Sequence, residues 1–128
     1  MKVNELRIGN LVTEFHSEAR ITAIGLDYIS TDRGITKINK PENITPIPLT
    51  EEWLLLLGFK KTITNYPIGD NTEFLIGDNF ELNQSNYLYY LSVEDERGNN
   101  NINVCVEYVN QLQNLYFALT GKELSIKD

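Results

Sequence analysis

Ten short runs of strand-like composition, each stopped within a few residues by Gly, Asn, Asp, Pro or Ser, leave this chain of 128 residues little to build except antiparallel sheet. Five precede residue 50: 10–16 (NLVTEFH), 20–25 (RITAIG), 27–31 (DYIST), 34–38 (GITKI) and 43–47 (NITPI). Ile21 and Ala23, then Tyr28 and Ser30, show the alternation of a half-buried sheet. Short strands with tight turns at regular spacing predict an SH3-like β-barrel or meander over residues 1–49. Five more runs follow residue 59: 61–68, 72–76, 80–84, 86–94 and 102–107.

Two helices interrupt this texture. In "PLTEEWLLLLGF", Thr50 is a natural N-cap, Glu51 and Glu52 suit the positive end of the helix dipole, and Gly58 supplies a left-handed stop. With Trp53, Leu54, Leu56 and Leu57 all apolar, this short helix is expected to be enclosed by protein and to link the two regions. The second is "EYVNQLQNLYFALTGKEL". At 100° per residue, Tyr108, Val109, Leu112, Leu115, Tyr116 and Leu119 fall within an arc of about 120°, which predicts an amphipathic helix ended by Gly121. The fold expected is therefore α+β: residues 1–49 as the small barrel, and residues 50–128 as linking helix, antiparallel sheet and a C-terminal helix packed on that sheet.

"IGDNTEFLIGDNFEL" repeats Ile-Gly-Asp-Asn after eight residues. Gly, Asp and Asn all tolerate turn conformations, so the repeat reads first as two turns of a meander. A calcium loop would place its oxygens at alternate positions of one continuous loop, whereas here "TEFLI" intervenes and sets Asp70 and Asp78 on the order of 15 Å apart. No metal site is expected from Asp70, Glu73, Asp78 and Glu81.

The charge pattern narrows the choice of partner. The formal net charge of −7 lies wholly in residues 51–128, which carry twelve acidic and five basic side chains, while residues 1–50 carry six of each. Phosphate backbones repel the acidic half. The first half has Arg7, Arg20, Arg33, Lys37 and Lys40 available for phosphate. One His and one Cys leave the Cys–His, Ser–His and zinc constellations short of parts, and no Gly-rich phosphate loop opens a helix. Cys105, in the apolar alternation "INVCV", is expected to be a buried structural thiol. No apolar run approaches the ~20 residues of a membrane helix, and the first residues lack the apolar core of a secretory signal, which points to the cytoplasm.

Two places suggest a partner surface. In "NYLYYLSV", Tyr87, Tyr89, Leu91 and Val93 fall on one side, and Leu88, Tyr90 and Ser92 on the other, so both faces call for cover. Phe117 falls roughly opposite the apolar arc of its helix, where either a loop or tail covers it or a partner does.

The segments "NELRIGN", "PIPLTEEWLLLLGF" and "YVNQLQNLYFALTGKEL" resemble a family of small uncharacterised proteins from gut anaerobic bacteria and their phages or mobile elements. The resemblance covers about half the chain, and no activity, cofactor or catalytic residue comes with it. Relatives commonly carry His where Asn110 stands, which argues against a proton-transfer or metal role there. The reading that results is a non-enzymatic protein–protein interaction module, without catalytic residue, cofactor or metal, presenting Phe117 or the Leu88–Tyr90 face to an unidentified protein. A nucleic-acid-associated module using the first half, and an enzyme of carboxylate chemistry, are the alternatives.

Overall fold

The computed structural model describes residues 5–26, 28–37, 44–64, 71–77, 80–85, 88–94 and 100–126. It is α+β, with two antiparallel sheets and a C-terminal helix. The chain divides into two compact units, residues 1–48 with 108–124 and residues 49–107 with 125–128. No helix among the described residues is long and apolar enough to cross a membrane.

The first unit holds β1 (Leu11–Glu14), β2 (Ser17–Ile24), β3 (Tyr28–Thr31), β4 (Gly34–Lys37) and β5 (Ile44–Thr45), in the order β4-β3-β2-β1-β5. Alternation decides which side is buried: Ala19 and Ile21 of β2 face inward while Glu18, Arg20 and Thr22 stay exposed. Val12, Ala19, Ile21, Ile29 and Ile44 form the core, with Leu6 packed against it. Of the barrel or meander expected over residues 1–49, the strands take the open form. No described ladder joins β4 to β5, so the sheet is open; a two-residue β5 and a four-residue β4 offer too few backbone groups to complete a closing seam. At Gly25, which leads out of β2, a Cβ would lie 2.3 Å from the ring of Tyr28, so only glycine admits that ring.

The second unit begins with α1 (Glu51–Leu56), followed by β6 (Lys60–Thr64), β7 (Asn71–Ile76), β8 (Phe80–Ser85), β9 (Leu88–Glu94) and β10 (Asn100–Val106), in the order β10-β9-β8-β7-β6. The Thr50 hydroxyl accepts the Trp53 N–H at 3.3 Å, the cap that the sequence calls for. Leu54 and Leu57 are buried, but Leu55 and Leu56 are half exposed, so α1 has one covered side and is not enclosed. Phe74, Phe80, Leu82, Tyr89, Leu91 and Val106 make the core, with Phe59 edge-on to Phe80 and Phe74 edge-on to Tyr89 at ring-centre distances of 6.1 and 5.7 Å. Ile76 pairs with Phe80, and Gly77 leaves β7 at φ 64°. Asp70 and Asp78 themselves lie outside the described residues.

Helix α2 (Val109–Thr120) ends as expected, with Gly121 at φ 74° donating its N–H to the Phe117 carbonyl at 2.8 Å. Its position and its buried face both differ from expectation. The helix packs on β1 in the first unit instead of on the second sheet. Its buried residues are Val109, Asn110, Leu112 and Gln113, while Leu119 is exposed, a face rotated roughly 80° from the apolar arc. Hydrogen bonding explains the rotation. The Gln113 amide oxygen accepts the Leu11 N–H at 2.8 Å, and its nitrogen donates to the carbonyls of Gly9 at 3.2 Å and Leu124 at 3.0 Å. One buried amide thereby satisfies three backbone groups that would otherwise be desolvated without partners.

Candidate functional site

The tip of the β1–β2 hairpin is made of two residues, because Glu14 pairs with Ser17. Phe15 and His16 both have positive φ, 48° and 68°. That is the type I′ geometry which matches the twist of a hairpin, and Asn-Gly is the pair that adopts it without strain. A side chain such as Phe or His costs roughly 1–2 kcal/mol in the left-handed region. No burial offsets that cost, since Phe15 is 66% exposed.

The β3–β4 turn, Asp32-Arg33, lies at the same end of the sheet, closed by the Thr31–Gly34 pair. Buried Thr31 is its organiser. The hydroxyl accepts N–H groups from Arg33 at 3.0 Å and Gly34 at 3.2 Å, and donates to the Glu14 carboxylate, itself 3% exposed. Arg33 Nε donates to the Glu18 carbonyl at 2.7 Å, and the Arg20 N–H donates to Asp32 Oδ1 at 3.0 Å. These bonds fasten one tip to the other. Between them opens a cleft of about 410 Å³ lined by Glu14, Phe15, Ser17, Arg33 and Gly34.

The cleft offers an aromatic face, a guanidinium held by its Nε, a hydroxyl and an inward carboxylate, all on a turn braced from behind. The one carboxylate lining the cleft is that of Glu14. Among the described residues no three metal-ligating side chains converge.

The residues singled out from sequence fall in different units. Phe117 belongs to α2 in the first unit, and Leu88 and Tyr90 to β9 in the second. Phe117 is 40% exposed, and the Arg7 guanidinium lies 4.4 Å from its ring centre. Arg7 also donates through Nε to Asn114 Oδ1 at 3.1 Å and through Nη1 to Glu123 Oε1 at 2.5 Å. Asn114 Oδ1 further accepts from Asn10 Nδ2 at 2.9 Å, and Asn114 Nδ2 donates to the Glu5 carbonyl at 2.9 Å. Residues 5–10 and 110–114 thus meet in one polar clasp, in which the Arg7 guanidinium is engaged by Asn114 and Glu123. Arg20 and Arg33 remain exposed at the β2 face and the β3–β4 tip, the side chain of Lys37 on β4 is not described, and Lys40 lies outside the described residues.

On β9, Leu88 is exposed, Tyr90 half-buried, and Tyr89 and Leu91 buried, the two-sided division expected of that strand. Cys105, paired with Tyr90 in the β9–β10 ladder, is exposed, contrary to expectation. The reason is parity: Val104 and Val106 take the covered positions of β10, and residue 105 falls between them. Asn110 is 1% exposed with its Oδ1 lacking a hydrogen-bond partner, an orphan acceptor on the buried side of α2.

In sequence the run 10–16 carries the first strand through His16 and sets the turn at Ser17-Glu18, two residues beyond where it falls. The available signal was the absence of Gly or Asn where the turn has to fall. Comparison of the chain with family models, with curated proteins and with solved structures gives no match.

Proposed function

We propose that this protein is a non-enzymatic interaction module that captures a protein partner with the Phe15–His16 hairpin tip and the cleft behind it. The single observation that supports this reading is a large aromatic ring held in left-handed backbone and left exposed. Strain of that kind persists where the surrounding structure enforces it and is concentrated at binding and catalytic positions. Exposed aromatics anchor interfaces because they bury much apolar area at small entropic loss.

The design of the test follows from the turn chemistry. Replacing Phe15 by Asn together with His16 by Gly gives the hairpin its unstrained turn and removes the ring. The double variant should be more stable to urea than the wild type by roughly 1–2 kcal/mol and should lose the partner. Tagged wild-type and variant proteins are used as bait in lysate, and the resemblance to proteins of gut anaerobes makes such a bacterium's lysate the first one to screen. One protein captured by the wild type and missing from the variant is the expected result; equal capture by both overturns the reading. A salt-dependent affinity for DNA or RNA that requires Arg20 and Arg33 would favour the nucleic-acid alternative instead.

A further inference from the structure

We infer that the group received by the cleft between the two turns is a carboxylate of the partner protein, seated on Arg33 with an apolar residue beside it on the ring of Phe15. The inference rests on the capture role proposed for the hairpin tip and gives that tip its chemistry. Arg33 lines the cleft together with Glu14, Phe15, Ser17 and Gly34. Its backbone is fixed, because the Thr31 hydroxyl accepts the Arg33 N–H at 3.0 Å and the Gly34 N–H at 3.2 Å. Its side chain is fixed as well, since Nε donates to the Glu18 carbonyl at 2.7 Å. That bond uses the side-on edge of the guanidinium and leaves the end-on pair, Nη1 and Nη2, which meets no acceptor among the described residues. A guanidinium already held at Nε loses little further freedom on binding, and its two parallel Nη–H bonds match the two oxygens of a carboxylate.

Charge decides between anions. Arg33 is the one cation lining the cleft, and Glu14 lines it too. The Glu14 carboxylate is buried and accepts the Thr31 hydroxyl, whereas Arg33 is exposed, so an incoming group meets the guanidinium first. A phosphomonoester, with nearly two negative charges, would be left under-neutralised beside Glu14. A nucleic-acid strand draws its affinity from several phosphate contacts, and this cleft supplies one. A carboxylate brings a single charge in a planar group of matching shape. The exposed ring of Phe15 adds an apolar wall for the residue next to that acid. A volume of about 410 Å³ is that of a ligand pocket, closed enough to seat one such group.

The probe is a random peptide library displayed on phage, selected on the wild type and in parallel on Phe15→Asn/His16→Gly. One format keeps the peptide internal to the coat protein, and the other leaves its C-terminus free. Peptides held by the wild type alone should carry Asp or Glu beside an apolar residue if the carboxylate is a side chain's. They should appear in the free-terminus format alone if it is the chain end's, and either result supports the inference. A selected peptide is then synthesised and titrated, and replacing its acid by the amide should weaken binding roughly 10–100-fold, the worth of a charge-assisted pair. In Arg33→Gln the acid and amide peptides should bind alike, which ties the loss to that guanidinium and not to a change of fold. If Arg33→Gln does not fold, Arg33→Lys keeps the charge without the fork and should retain only part of the acid-to-amide factor. Peptides that need Phe15 yet carry no acid, or a factor undiminished in the Arg33 variant, overturn the carboxylate while capture by the tip stands. An oligonucleotide pool that binds through Arg33 more tightly than any selected peptide overturns it in favour of phosphate. If no peptide is held by the wild type and lost by the double variant, capture by the tip falls, and this inference with it.

Discussion

Five antiparallel strands make each sheet, yet the two units are closed by different chemistry. The second is closed by apolar burial: Phe74, Leu82 and Leu91 lie in register across three strands, Tyr89 meets Phe74 edge-on, and Leu54 and Leu57 are fully buried. The first has a core built on Val12, Ala19, Ile21, Ile29 and Ile44, and its helix buries the amides Asn110 and Gln113 beside Val109 and Leu112. Gln113, Asn114, Asn10 and Arg7 tie together backbone and side chains more than a hundred residues apart in sequence. Burial of apolar area is indifferent to direction, so it tolerates imperfect placement. A buried amide that serves three backbone groups has one orientation that works. The difference teaches that polar geometry, added to the burial of Val109 and Leu112, fixes the helix position in the first unit.

The comparison breaks most sharply at Phe74. Phe74→Ala removes a fully buried ring together with its edge contact to Tyr89 and should destabilise the protein by roughly 3–5 kcal/mol in urea unfolding. A loss under 1 kcal/mol would mean that the second unit is not closed by that core. Next in size is Gln113→Leu, which keeps the volume and leaves the Leu11 N–H and the Gly9 and Leu124 carbonyls without partners. It should cost roughly 2–4 kcal/mol, and the Leu11 amide should lose protection in hydrogen exchange. A leucine that is neutral at this site would show that apolar packing holds the helix there too, and the contrast between the units would collapse. The Arg7–Glu123 pair adds little to either side, because both side chains are partly in water.

Local signals survived the passage from sequence to structure, and long-range ones did not. Every expected strand is present, Thr50 caps α1, and Gly121 stops α2, since each of these depends on residues within a few positions of one another. The helix face was misjudged because an apolar arc assumes that the surface receiving the helix is apolar. Here that surface includes the backbone of Gly9 and Leu11, which selects Gln113 over Leu119. With the face turned, Phe117 ceases to be anomalous: it lies on the Gln113 side of the helix, beneath Arg7. The candidate site was illegible for a related reason. Nothing in "EFHSE" announces that Phe15 and His16 occupy the turn until the pairing of Glu14 with Ser17 is known, and that register is set by Val12 and Ala19 seeking the core.

The smallest expected effect tests the apolar side of the comparison by pH. Burial, and after it the charge of Glu51, raises the Tyr89 phenol above its ordinary value of 10.0. Both causes disfavour the phenolate in the folded chain. The sign follows: below pH 10 the phenol is protonated in both states and contributes no pH dependence. Above 10.0 the unfolded chain releases the proton first, so the unfolded state binds fewer protons and stability falls as pH rises toward the folded value. Tyr89→Phe should therefore unfold at a higher urea concentration, relative to wild type, at pH 11 than at pH 9, and the gap should widen smoothly between them. Replacing Glu51 by Gln should narrow that gap only in part, because the charge is the lesser of the two causes. A gap independent of pH would mean that the phenol of Tyr89 is solvated in the folded chain, and the second core would then be wetter at β9 than its apolar packing implies.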